Sequence, residues 1–458
     1  MTTFPLVTHR GMDEALAYRH GEVVTVGQFL HDARRLAALY PPGRHVLNAC
    51  TDRYHFTVGL AAALLAGRIS LLPPTHTPEM VRQLRLLAPD VFCLSDGPTT
   101  IDLPRVAYPE AASAAGGLPE ALPAPAEVPR IPADQTVAHV FTSGSTGVPL
   151  PHRKTWGALV RNMQAGAAGL GLVAGARYSI VGTVPPQHMY GFESTVLLAL
   201  QSGSVLSAEH PFYPADICSA ITALPRPRLL VTTPVHLRAL LCAGVDVPAL
   251  DLVLSATAPM PAQLAQAAEA RLQAPLLEIY GSTETGQIAT RRTAQALPWT
   301  LLPDVRLVPQ GDRMWASGGH VEVPVALGDV LECVDDRHFL LHGRKADLVN
   351  IAGKRNSLAY LNHQLNAIEG VQDGAFFMPD EDDAGAGVTR LLAFAVAPGL
   401  SQAALRAALR ERIDPVFMPR PLLLVQQLPR NSTGKLPREA LQALAQTHDQ
   451  TGRGRHAG

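Results

Sequence analysis

Short apolar runs alternate with longer helical patterns through most of the first 340 residues. His45-Val46-Leu47-Asn48-Ala49 precedes a helical pattern near 55–66, and Leu229-Leu230-Val231-Thr232 precedes another near 235–243. Val137-Ala138-His139-Val140-Phe141 and Pro275-Leu276-Leu277-Glu278-Ile279 read as further strands. Runs this short are buried strands, and their alternation with helices predicts an α/β architecture with largely parallel sheets. The pattern changes near Arg344. Beyond it, Gly374 to Met378 and Leu391 to Val396 read as strands, followed by a helix from about Ser401 to Ile413 with Ser401 as its cap. The expected organisation is therefore a large N-terminal domain over 1–343 and a small α+β C-terminal domain over 344–458. Prolines at 119, 123, 125, 129 and 132 make Leu118 to Pro132 an extended connector and not an element. Thr447 to Gly458 is polar and reads as frayed.

A chain of 458 residues exceeds what one core usually supports, which agrees with two or more domains. With 47% hydrophobic and 17% charged residues it is an ordinary globular protein. A net charge of −1 gives no electrostatic case for nucleic acid as a partner. Apolar stretches such as Val58 to Ala66 are too short to cross a bilayer, and the Met-Thr-Thr-Phe-Pro start lacks a signal peptide's basic and apolar regions. No membrane span and a cytoplasmic location are expected. Cys50, Cys93, Cys218, Cys242 and Cys333 occur without C-x-x-C pairs, so they read as reduced core residues.

Chemistry concentrates in a few polar stretches. Thr142-Ser143-Gly144-Ser145-Thr146-Gly147 follows a predicted strand and exposes backbone N–H groups and hydroxyls together, which suits polyphosphate oxygens. Such clusters also occur as plain turns, and this one is not a Walker loop. Tyr280-Gly281-Ser282-Thr283-Glu284-Thr285 sets a carboxylate beside hydroxyls after a strand. Gly328-Asp329, His342-Gly343-Arg344-Lys345-Ala346-Asp347 and Pro429-Arg430-Asn431-Ser432-Thr433-Gly434-Lys435 follow in order. Ser432 to Lys435 also fits Ser-x-x-Lys of penicillin-recognising hydrolases, but the partner motifs of those enzymes do not occur.

In this order and at these separations, the motifs from roughly residue 20 to 445 resemble the adenylate-forming superfamily of acyl-CoA synthetases, aryl-acid ligases, adenylation domains and luciferases. The resemblance implies a large N-terminal domain with a mobile C-terminal one, ATP and Mg²⁺ as cofactors, and activation of a carboxylic acid as an acyl-adenylate before transfer to a thiol. It implies that Thr142, Ser143, Gly144, Ser145, Thr146 and Gly147 cradle phosphates. Glu284 would hold Mg²⁺, which needs few carboxylates beside waters and phosphate oxygens. Thr283 would touch the α-phosphate, Tyr280 would stack on adenine beside Gly281 and Ser282, and Ala256 and Thr257 would line the same base. Asp329 would accept from the ribose hydroxyls, and Arg344 would be the next nucleotide contact. Lys345, Ala346 and Asp347 mark the hinge; relatives carry Asp or Lys where this chain has Ala346. Relatives also carry a lysine after the proline of the phosphate loop, where this chain has Leu150, its nearest cation being Lys154. Gly353 and Arg355 fall, with Asn350, where the thiol tunnel is lined. Lys435 would bridge the carboxylate and the α-phosphate as charge develops, a preorganised electrostatic role. His188, Met189, Tyr190 and Gly191 would gate the acid site, although a histidine among Met and aromatics is often a satisfied core residue.

The stretch from Phe141 to Trp156 is similar to the ligases of xanthomonadin and aryl-polyene pigment pathways, which load a hydroxybenzoate onto a carrier protein. The expected acid is accordingly a hydroxybenzoate and the acceptor an acyl carrier protein or CoA. A medium- or long-chain fatty acid ligase is the alternative. A non-catalytic nucleotide-binding regulator and a luciferase-like oxygenase stand outside that class.

Overall fold

The computed structural model describes residues 1–73, 75–109, 127–143, 149–172, 176–311, 313–344, 348–351, 354–379, 391–431 and 434–453. The hinge positions Lys345, Ala346 and Asp347, the loop residues Gly144, Ser145, Thr146 and Gly147, and Gly353 lie outside these residues. The expected mixed α/β architecture is what forms.

Two sheets organise the first 344 residues. In a six-stranded sheet, Thr136–Ser143, Ile69–Leu72, His45–Asn48, Phe92–Ser95 and Arg105–Ala107 run parallel, and Pro149–Thr155 closes the edge antiparallel to Thr136–Ser143. In an eleven-stranded sheet, Leu276–Ser282, Leu252–Ser255, Arg228–Thr232, Ser179–Gly182, Val205–Ser207 and Ala15–Arg19 form the parallel centre. Strands buried on both faces must be apolar throughout; Leu252–Ser255 and Ile69–Leu72 are buried at every position.

The helices follow from capping and one-sided apolarity. Thr25 and Gln28 form a reciprocal capping box on Val26–Ala38, which buries Val26, Phe29, Leu30, Ala33 and Leu36. Each large apolar side chain so buried contributes roughly 1.5–3 kcal/mol. Asp52 caps Arg53–Leu65, accepting from the N–H groups of Tyr54 and His55. Ser401 caps Gln402–Arg410 as expected.

Four expectations are corrected. The run Leu118 to Pro132 is not wholly a connector, since Arg130–Pro132 pairs with Thr3–Pro5 as a two-stranded ribbon whose terminal prolines need no ladder N–H. The α/β alternation stops at Leu276: eight consecutive strands up to Arg344 contain no α-helix, and Arg306–Gln310, Arg313–Gly318 and Val321–Ala326 make a separate antiparallel sheet. Helix Arg438–Arg453 continues through residues that read as frayed, carried by its apolar stripe of Leu441, Leu444 and Ala445. Cys242 and Cys333 are exposed and not core residues.

Beyond residue 348 the apolar packing is self-contained. Leu361, Leu365, Phe376, Ala393, Leu405, Leu409 and Leu422 form one cluster, and Phe377, Phe394, Leu428 and Leu441 another. They flank a three-stranded sheet of Asp373–Phe377, Leu392–Val396 and Leu422–Leu424. Among the described residues no helix is long and apolar enough to cross a membrane.

Candidate active site

The parallel strands of the large sheet deliver their carboxyl ends to one region, the place where open α/β sheets receive ligands. Thr232, Ser255 and Ser282 stand at those ends. Past Ser255 the chain turns through Ala256 and Thr257, half-buried, with Thr257 at φ +80. A β-branched residue in that region is strained, and strain of this kind collects at ligand sites.

The Tyr280–Gly286 turn is tightly built. A register shift between Tyr280 and Gly281 breaks the ladder, and a Cβ at Gly281 would fall 2.1 Å from the Gly286 carbonyl, so only glycine fits. Ser282 and Thr285 lock the turn from inside: Ser282 N donates to Thr285 Oγ1 at 3.1 Å, and Thr285 N to Ser282 Oγ at 3.2 Å. Thr283 and Glu284 are thereby left facing outward, half-buried and exposed respectively. The Tyr280 ring lies edge-on to Phe339 with centroids 5.5 Å apart, and its hydroxyl donates to Asp329 Oδ2 at 2.6 Å. Asp329 in turn pairs in register with Arg344 across an antiparallel hairpin. Tyr280, Asp329 and the Arg344 backbone thus belong to one sheet, with Tyr280 and Asp329 joined directly by their side chains. Of Arg344, Arg355 and Ser143 only the backbone, in strands, is described.

Pro149–Thr155 adds two residues to the Glu284 turn. His152 Nε2 lies 3.5 Å from Glu284 Oε1 and shares a 2.9 Å hydrogen bond with Thr142 Oγ1. Lys154 Nζ donates to the Glu284 main-chain carbonyl at 3.0 Å. Burial pulls Lys154 below the ordinary lysine range, opposed by Glu193, Glu284 and Glu322, and burial pushes Glu193 up, opposed by Lys154. Leu150, by contrast, is exposed. His152 and Glu193 were not singled out by the sequence reading. The legible signal was the i, i+2 spacing of His152 and Lys154, which puts both on one face of a strand.

The His188 segment forms the facing wall. His188 caps the turn at Met189–Gly191 with Nδ1 accepting from Tyr190 N at 3.3 Å. Burial, and then the charge of Lys435, lower its pKa to about 4, so the imidazole is neutral at pH 7. Met189 and Tyr190 are buried, and the Tyr190 hydroxyl donates to the carbonyls of Thr232 at 3.0 Å and Leu254 at 2.9 Å. That hydroxyl ties the two strand ends together. A Cβ at Gly191 would lie 2.1 Å from Pro185 O, which fixes glycine there by packing.

Lys435 reaches the region from the C-terminal residues. Its loop is closed by Lys435 N donating to Asn431 Oδ1 at 2.9 Å and Asn431 N donating to Lys435 O at 2.9 Å. Gly434, at φ +77, sits so close to Thr233 and Val235 that a Cβ would meet Val235 Cγ2 at 3.1 Å. The exposed Lys435 side chain therefore stands within electrostatic range of His188. Arg430 Nε donates to Asp373 Oδ2 at 2.7 Å, and Arg238 Nη1 of the larger part lies 3.9 Å from Asp373 Oδ1.

The donors suit a nucleotide with a hard cation. One exposed carboxylate with hydroxyls nearby matches Mg²⁺, which takes its remaining ligands from phosphates and water. Among the described residues no group of three or more His, Cys, Asp and Glu could hold a metal by itself.

Residues 7–339 match the model of the AMP-binding enzyme family. The chain is 34% identical over 282 residues to a 4-coumarate–CoA ligase of Rhodobacter capsulatus, covering 61% of this chain and 68% of that protein. It is 32% identical over 312 residues to a 4-coumarate–CoA ligase of Halorhodospira halophila, covering 64% and 73%. In fold it resembles the o-succinylbenzoate coenzyme A synthetase of Bacillus subtilis in complex with AMP, with a TM-score of 0.78, 18% identity and coverage of 96% and 98%. The chain belongs to the AMP-binding enzyme family and is an AMP-forming acid–thiol ligase.

Proposed function

We propose that this ligase activates a compact hydroxylated aromatic acid, a hydroxybenzoate foremost, and passes it to the phosphopantetheine thiol of an acyl carrier protein or CoA. The observation that carries the reading is the seat of Gly434 on Thr233 and Val235, which holds Lys435 beside a neutral His188 at the strand ends. An ammonium there can meet the carboxylate of a bound acid and the α-phosphate as charge develops between them. Neutral His188 does not compete with it for the anion. Thr142 to Gly147 and Thr283 hold phosphate oxygens, and Glu284 holds Mg²⁺, which when bound neutralises polyphosphate charge. Tyr280 orients Asp329 for the ribose, with Ala256 and Thr257 beside the base.

The chain works as two units, 1–343 and 344–458, turning at Lys345–Asp347 so that Lys435 serves the first half-reaction and the Gly353–Arg355 segment the second. Self-contained apolar clusters beyond residue 348 support that division. The aromatic acid is supported by the two 4-coumarate–CoA ligases, whose named acid carries a phenolic ring, and their named thiol supports CoA as an acceptor. A buried partner for the phenol would discriminate strongly, since an acid without the hydroxyl leaves that partner unpaired.

The test is pyrophosphate release with ATP over hydroxybenzoates, benzoate, hydroxycinnamates and fatty acids, followed by thioester formation with CoA and with a holo carrier protein. Hydroxylated aromatic acids should lead the panel. A higher kcat/KM for octanoate or longer acids than for every aromatic acid would overturn the substrate reading and leave the ligase class intact.

A further inference from the structure

We propose that Lys154 is a positioning residue for Glu284, holding the Tyr280–Gly286 turn from beneath so that the carboxylate stays aimed at the nucleotide side. The proposal rests on Glu284 being the Mg²⁺-holding group. Lys154 is 7% exposed, and its ammonium donates to the Glu284 carbonyl rather than to solvent. An ammonium is strongly hydrated, so its burial is costly unless charge and hydrogen bonds compensate. The compensation is a polar layer behind the turn. Glu193, 3% exposed, accepts from Asn162 Nδ2 at 3.1 Å. Glu322 Oε1 accepts from Thr155 Oγ1 and Arg161 Nη2, each at 3.0 Å, beside Lys154.

The turn is shaped to this layer. At Gly286, φ +72, a Cβ would fall 2.0 Å from Asn162 Nδ2 and 2.9 Å from Glu193 Oε1. Lys154 therefore does two separable things: its charge offsets part of the cost of ionising the buried Glu193, and it tethers the backbone of Glu284. Only the second bears on the metal. Where Leu150 brings no charge to the phosphate loop, Lys154 works from below the site instead.

The two tasks separate in one experiment. Binding of a non-hydrolysable ATP analogue is followed by calorimetry as Mg²⁺ is titrated, alongside thermal unfolding. The proteins compared are wild type, Lys154→Met, Lys154→Met with Glu193→Gln, Glu284→Gln, and Glu284→Gln with Lys154→Met. Lys154→Met should lower the unfolding temperature and raise the Mg²⁺ needed for half-maximal binding about tenfold, the worth of one hydrogen bond to a charged group. Adding Glu193→Gln should restore the unfolding temperature, because no buried carboxyl group is then left without the Lys154 charge, while the Mg²⁺ shift persists. Adding Lys154→Met to Glu284→Gln should move the titration no further. If Lys154→Met alone does not fold, the Lys154→Met, Glu193→Gln protein carries the test. A Mg²⁺ titration that returns to wild type together with stability in that protein would make Lys154 purely structural and overturn the proposal. An unchanged titration for Glu284→Gln overturns the Glu284 reading itself, and the proposal with it.

Discussion

Gly434→Ala perturbs the seat of Lys435 and little else. The backbone there is at φ +77, a left-handed conformation that costs an L-residue about 1–2 kcal/mol where glycine has no such cost. A second component comes from the new methyl, built 3.1 Å from Val235 Cγ2, closer than ordinary van der Waals contact, so Val235 must give way. The methyl clash exists only while the loop is docked, and the backbone component weakens the loop's closure through Asn431. Together they should lower the rate of the half-reaction that uses docked Lys435 by about 10- to 150-fold, the equivalent of roughly 1.5–3 kcal/mol. Pyrophosphate release with ATP and acid reads that half-reaction; thioester formation from a supplied acyl-adenylate reads the other, which should stay within about twofold. Val235→Ala combined with Gly434→Ala should recover the steric share and leave the backbone share. Pyrophosphate release at the wild-type rate in Gly434→Ala would refute the reasoning, because the docked loop would then not limit adenylation.

Tyr280→Phe removes the hydroxyl that holds Asp329 at 2.6 Å, so the KM for ATP should rise about tenfold with the KM for the acid unchanged; equal effects on both would count against an Asp329 role specific to the nucleotide. Arg53, fully buried, donates to the carbonyls of Gly182 at 2.8 Å and of Val184 and Ser207 at 3.1 Å each. Arg53→Met should therefore cost about 3 kcal/mol or more by urea denaturation, with several buried carbonyls left unpaired. Burial alone would raise the Asp96 pKa, but hydrogen bonds from His55 and from the backbone of Thr51 and Asp52 outweigh it and hold it at about 2. A depressed carboxylate stabilises the fold above its unfolded pKa of about 3.9 and loses that contribution as pH falls through the folded value, roughly 2–3 kcal/mol in all. The difference in unfolding free energy between wild type and Asp96→Asn should accordingly shrink between about pH 5 and pH 2, and a constant difference would show that the carboxylate's charge is not what matters.

Elements set by local chemistry were legible in the chain. His45–Asn48, Arg228–Thr232 and Leu276–Ser282 announce themselves as short apolar runs, and Ser401 announces its helix as a cap. The strands after Gly286 were not, because their faces are mixed: Arg306–Gln310 has no buried position and so carries no period-two signal. Within the site, residue types were readable but their employment was not. A tyrosine beside a histidine suggests a pocket phenol, yet the Tyr190 hydroxyl is committed to two carbonyls from separate strands. A lysine on an edge strand reads as solvated, and the depth of Lys154 depends on Glu193 and Glu322, which arrive from distant parts of the chain.

The site's parts differ in how they are held, and that difference matches the chemistry. Glu284, Tyr280 and Asp329 rise from one continuous sheet and are fixed by short internal bonds, so they cannot move without breaking the ladder. Lys435 is held by a loop that meets the large part at Gly434, against Thr233 and Val235, with Arg238 3.9 Å from Asp373. A long, partly exposed ion pair of this kind contributes of order 0–1 kcal/mol. In the proposed two-step reaction the part that carries Lys435 must leave, the nucleotide staying on the sheet while a thiol takes the cation's place. Tightening the seat should therefore slow the second step as surely as loosening it slows the first.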